Sequence, residues 1–84
     1  MKKVTIYTGP MCNYCEAAKR LLIRNNTSYN EINIANVDGA MDEMIKKANG
    51  KRTIPQIFFC DQHIGGYDEV RALEKENKLK EKLR

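Results

Sequence analysis

Apolar and polar residues alternate over residues 3–7, where Val4, Thr5, Ile6 and Tyr7 read as a strand that Gly9-Pro10 brings to an end. From residue 13 to about residue 25 the period changes. Ala18, Leu21 and Leu22 fall on one helical face, and Glu16, Lys19, Arg20 and Arg24 fall elsewhere, so a helix opens beside Cys12. Residues 25–28 are loop by composition, and residues 29–34 return to strand with Ile32 and Ile34 on one side. Asp38 is the expected N-cap of a second helix whose core stripe is Met41, Met44, Ile45 and Ala48, and Asn49-Gly50 closes it. After Ile54-Pro55, the bulky run Ile57-Phe58-Phe59 suits a buried strand, and His63-Ile64 leading into Gly65-Gly66 predicts a hairpin. Asp68 is the expected N-cap of a last helix, with Glu69 in its first turn and a stripe of Val70, Leu73, Leu79 and Leu83 that breaks near Asn77. One early crossover followed by a hairpin, in the order β-α-β-α-β-β-α, predicts an α/β fold with a mixed sheet.

Length and charge narrow the function classes. The 84 residues, 42% of them hydrophobic, predict a single domain over residues 1–84 with a modest core. The basic start is followed only by a strand-length apolar patch, and no run approaches the roughly 18 apolar residues of a membrane span, so we expect a cytoplasmic protein with no membrane partner. The net charge of +4 comes largely from residues 71–84, which hold six basic and three acidic residues and no aromatic one. A solvated helix face accounts for that run, and nucleic acid is not an expected partner.

Three cysteines are an odd number for a disulfide scaffold, and two of them, Cys12 and Cys15, are separated by only two residues. A Cys-x-x-Cys that follows a strand and opens a helix puts its first sulfur at the positive end of the helix dipole, beside N–H groups with no intrahelical partner. A thiolate is favoured there, which makes Cys12 the expected nucleophile and a good leaving group. Cys15, one turn further in, is the expected resolving thiol. Two other readings stay open at this point: a pair of buried small hydrophobes, or half of a zinc site completed by Cys60 and His63. The second set lies about five residues beyond Pro55 along a strand, which argues for separation from the first. Cys60 and His63 otherwise take structural readings, as do Met41 and Met44.

Four stretches in this order, Ile6-Tyr7-Thr8, Cys12-Asn13-Tyr14-Cys15, the segment from Arg52 through Thr53, Ile54 and Pro55 to Phe58, and Ile64-Gly65-Gly66-Tyr67-Asp68-Glu69, resemble a dithiol glutaredoxin over nearly the whole chain. The resemblance implies a thioredoxin-like fold, a four-stranded mixed sheet flanked by helices, with the cysteines at the tip of the first helix. It implies glutathione as cosubstrate and disulfide-containing or glutathionylated proteins as partners of a monomer, with no metal in the main reading. It further implies that Ile54-Pro55 is a cis peptide facing the cysteines, whose backbone at Ile54 pairs with the cysteinyl part of glutathione. Thr53 and Pro55 flank that contact. Gly66, Tyr67 and Asp68 would hold the γ-glutamyl end, Tyr14 would stand exposed at the rim, and Tyr7 would face the core.

Two positions depart from the family pattern. Gly9 stands where many relatives carry a lysine for the glycine carboxylate of glutathione, and Arg52, in preference to Lys51, is the expected substitute. Asn13 stands where most dithiol members have proline, a residue preorganised for a helix start. Members without that proline include some that bridge a [2Fe-2S] cluster between two subunits, so an iron-sulfur carrier dimer is the alternative function.

Overall fold

The computed structural model describes residues 3–82; Leu83, the last position of the expected stripe, lies outside them, as do Met1, Lys2 and Arg84. The elements are β1 (Val4–Thr8), α1 (Asn13–Arg24), β2 (Tyr29–Asn33), α2 (Ala40–Lys47), β3 (Gln56–Phe59), β4 (Gln62–Gly65), α3 (Tyr67–Lys75) and α4 (Leu79–Lys82). The strands form one sheet in the order β2-β1-β3-β4. β1 and β2 run parallel, as a strand-helix-strand crossover requires, while β3 is antiparallel to both β1 and β4.

The alternation along β1 sorts its side chains to two faces. Val4 and Ile6 join Ala18, Leu21 and Leu22 of α1, Ile57, Val70 and Leu79 in one core layer. Tyr7 turns to the other face and packs with Phe58, Met44 and Ala48, its ring edge-on to Phe58 at 5.5 Å. The sheet is therefore covered by helices on both sides, and Tyr7 faces the core as expected.

Two caps and one core position differ from the sequence reading. Asp38 does not cap α2. Its N-cap is Gly39, in the left-handed region at φ 77, with no side-chain hydrogen bond, because the chain enters the helix through a turn that glycine adopts without cost. That turn sets the helix so that Ala40, Met44 and Ala48 point inward at successive turns, which leaves Met41 41% exposed rather than in the core. Asp68 does not cap α3 either. Gly66 is the N-cap, and Glu69 reaches back so that its Oε1 accepts the Gly66 N–H at 2.9 Å. A Cβ at Gly65, where φ is 136, would sit 2.7 Å from Glu69 Cβ, so the bare backbone there is what admits the folded-back carboxylate. The last helix breaks at Asn77, φ 59, as read from the sequence.

Candidate active site

Cys12 is the N-cap of α1, with extended φ −115 and ψ 100, and its sulfur fills the capping role usually taken by an oxygen: the Cys15 N–H donates to it at 3.1 Å. An acceptor at this position gains from a free N–H and from the helix dipole together, and a sulfur anion gains more than a thiol does. Cys12 and Cys15 are joined as a disulfide with their Cα atoms 5.2 Å apart. Their surroundings are unequal. Cys15 is 1% exposed, whereas Cys12 is half-buried at the helix tip.

The group facing Cys12 comes from the loop that enters the neighbouring central strand. Because β3 is antiparallel to β1, with Tyr7 opposite Gln56, the residues entering β3 arrive at the end of the sheet where β1 leaves for the cysteines. The Ile54-Pro55 bond is cis, and the Ile54 carbonyl oxygen lies 4.0 Å from Cys12 Sγ. A groove of about 370 Å³ runs from this point across the N-terminus of α3. Tyr14, Thr53, Ile54, Pro55, Gly66, Tyr67 and Asp68, all singled out from the sequence, line it. Tyr14 is 63% exposed, its ring 5.6 Å from that of Tyr67.

Of the two adjacent cations, Lys51 lines the groove and Arg52 does not. Lys51 Nζ stands 3.8 Å from Glu69 Oε1, the same oxygen that caps Gly66. Gln56 and Glu69 also line the groove, and neither is among the site residues that the sequence predicts. Glu69 sits three residues after Gly66, the spacing of a reciprocal cap, and that signal could have found it. Gln56 left no comparable trace, since its role depends on partners across space.

Cys60 is exposed in the turn between β3 and β4, next to Phe59, which pairs with Val4 at the start of β1. Four strand steps separate that level from Thr8, about 13 Å at ~3.3 Å per residue. Cys60 and His63 therefore do not converge with Cys12 and Cys15 into a four-ligand set, and among the described residues no cluster of three metal-ligating side chains is found. Behind α1, the buried Thr8 hydroxyl donates to Glu31 at 2.8 Å, and Lys19 bridges Glu31 and Glu16 at 3.2 and 2.6 Å. The Thr8 hydrogen bond, with Lys19, holds the Glu31 carboxyl below its usual pKa, and the Glu16 contact raises Lys19.

Residues 4–64, which include both cysteines and the cis proline, match the family model described as Glutaredoxin. The chain belongs to the glutaredoxin family. It is 44% identical over 77 residues to glutaredoxin 1 of Rickettsia prowazekii, an alignment covering 90% of this chain and 81% of that protein. Among solved structures it is similar to the glutaredoxin from Brucella melitensis, with TM-score 0.83 and 43% identity over 99% of this chain and 89% of that one. It is also similar to a buckwheat glutaredoxin-glutathione complex, with TM-score 0.86 and 26% identity over 96% of this chain and 76% of that one. The expected thioredoxin-like fold is thus met in glutaredoxins of known structure, and the Cys12–Cys15 pair is the redox centre of a thiol oxidoreductase. No helix among the described residues is long and apolar enough to cross a membrane.

Proposed function

We propose that this glutaredoxin is a glutathione-dependent reductase of protein-glutathione mixed disulfides and of protein disulfides, acting as a cytoplasmic monomer. The observation that carries the reading is the Cys12 sulfur, capping α1 and 4.0 Å from the Ile54 carbonyl at the head of an open groove. The buckwheat relative, solved as its complex with glutathione, supports glutathione as the occupant. In this arrangement the backbone of Ile54 pairs with the cysteinyl residue of glutathione. The free N–H groups at the start of α3, at Tyr67 and Asp68, receive the γ-glutamyl carboxylate. Lys51, the cation that lines the groove, takes the glycine carboxylate in place of the absent lysine at Gly9.

The Cys12 thiolate attacks the glutathionyl sulfur of a mixed disulfide, and the protein thiolate leaves and takes a proton from solvent. Cys12 is then disulfide-linked to glutathione. The thiolate of a second glutathione attacks that glutathionyl sulfur, releasing glutathione disulfide and restoring the Cys12 thiolate. On a protein disulfide, Cys12 forms a mixed disulfide with the substrate. Cys15 then gives up its proton and attacks the Cys12 sulfur, the substrate thiolate leaves, and two glutathione molecules reduce the internal bridge. The burial of Cys15 suits a thiol that reacts only with its neighbour.

An assay coupled to glutathione reductase tests the assignment. Cys12→Ser abolishes turnover of both substrate types; Cys15→Ser keeps deglutathionylation and loses protein-disulfide reduction. Equal loss in the two variants would overturn the division of roles.

A further inference from the structure

His63 stands on β4 outside the groove, yet a chain of hydrogen bonds links it to the backbone that faces the nucleophile. On the next strand Gln56 is 1% exposed, with both ends of its amide engaged. Its Nε2 lies 3.0 Å from the Thr53 carbonyl oxygen and 3.1 Å from Thr53 Oγ1, and its Oε1 lies 2.7 Å from His63 Nε2. The Thr53 carbonyl can only accept, so the amide NH₂ must face it and Oε1 must face the imidazole. His63 therefore carries its hydrogen on Nε2. Among the described residues no buried side-chain nitrogen or oxygen lacks a partner, so losing the imidazole donor would leave Gln56 Oε1 unpaired in the interior. The His63 ring is seated against Phe58, its cross-strand partner, with centroids 5.1 Å apart.

We propose that His63 is a positioning residue of the glutathione groove: it orients the Gln56 amide, which in turn holds the Thr53 backbone and so places the Ile54 carbonyl opposite Cys12. The kinetic part of this inference rests on the glutathione reading given above; the spectroscopic part does not. Lys51 and Glu69 are the charged groups that bear on the imidazole, and they oppose each other. Nε2 keeps its hydrogen in both protonation states, so the relay does not switch with pH.

Two variants separate positioning from packing. His63→Phe keeps the ring against Phe58 and removes the donor; His63→Gln returns an amide N–H near the place of Nε2. The expected result for His63→Phe is a KM for a glutathionylated peptide raised about three- to tenfold with kcat within about twofold, and for His63→Gln a return to within about twofold of the wild type. In nitrogen-15 spectra the Gln56 side-chain NH₂ exchanges with solvent at least about tenfold faster in His63→Phe and recovers in His63→Gln. An unchanged KM together with an unchanged Gln56 exchange rate overturns the proposal. So does a wild-type long-range nitrogen-15 spectrum showing the Nδ1–H tautomer, a measurement that needs no variant to fold. Absence of glutathione-linked turnover in the wild type would defeat the functional reading and leave the relay to be decided by the spectra.

Discussion

The bare backbone of Gly9 faces the tip of the Ile54 side chain, and a Cβ placed at residue 9 would lie 2.6 Å from Ile54 Cδ1. The missing lysine and the bulky isoleucine are thus one packing arrangement. Gly9→Lys alone should cost about 1 kcal/mol of stability, because Ile54 must leave its rotamer. Ile54→Val deletes the offending carbon, and Gly9→Lys in that background should cost almost nothing. Urea unfolding of the four chains in a double-mutant cycle measures the coupling; additive costs would refute it.

Lys51 and Arg52 are adjacent cations, but only Lys51 borders the groove. Lys51→Glu should raise the KM for glutathionylated substrate several-fold, on the order of the ~1 kcal/mol expected of an exposed ion pair, whereas Arg52→Glu should change it less than about twofold. Steady-state kinetics at low and high salt check this, and the Lys51 effect should shrink as salt is added.

Glu74 of α3 ties down the end of α1, accepting from Asn25 Nδ2 at 2.8 Å and from Arg24 at 3.0 Å. The Asn25 amide first, and then Arg24, hold its carboxyl below the usual 4.5. A lowered folded-state pKa means the unfolded chain binds the proton more readily. The stabilisation is therefore complete above about pH 5 and lost as pH falls through the folded value. Glu74→Gln should lower stability by about 0.5–1 kcal/mol at pH 7, since Arg24 is largely exposed and screened. The gap between the two proteins should close toward pH 3, as chemical denaturation at several pH values would show.

Cys60 holds a left-handed backbone, φ 54, in the turn between β3 and β4, far from the reacting sulfur. Asparagine adopts that conformation more readily. Cys60→Asn should raise stability by roughly 0.5 kcal/mol and leave turnover within about twofold. A marked fall in activity would mean that Cys60 takes part in the chemistry.

The strands, α1 and the cysteine pair were legible because each rests on local pattern: alternation at Val4 to Tyr7, a helical period through Ala18, Leu21 and Leu22, and a two-residue gap between sulfurs. Asp38 and Asp68 match the residue types of a cap, but a nearby glycine takes the position: Gly39, next to Asp38, through a left-handed turn, and Gly66, two residues before Asp68, with a carboxylate from Glu69. Met41 matched the helical period, but the true entry angle of α2 put Ala40 inward instead. Which of Lys51 and Arg52 meets the groove depends on the course of an irregular loop, which carries no period to read. Gln56 became visible only with its partners Thr53 and His63, which come from a loop and another strand.

The antiparallel ladder between β1 and β3 has a mechanical consequence. A strand running the other way would deliver its entering loop to the far rim of the sheet, and the carbonyl of Ile54 could never meet the sulfur of Cys12. As built, the pairing of Tyr7 with Gln56 acts as a ruler for the two loops that follow and precede them, so their sequences can drift while the reacting partners stay in reach. A single-step slip of that pairing would shift one loop by about 3.3 Å and turn its side chains to the opposite face, more than a bond-making geometry tolerates.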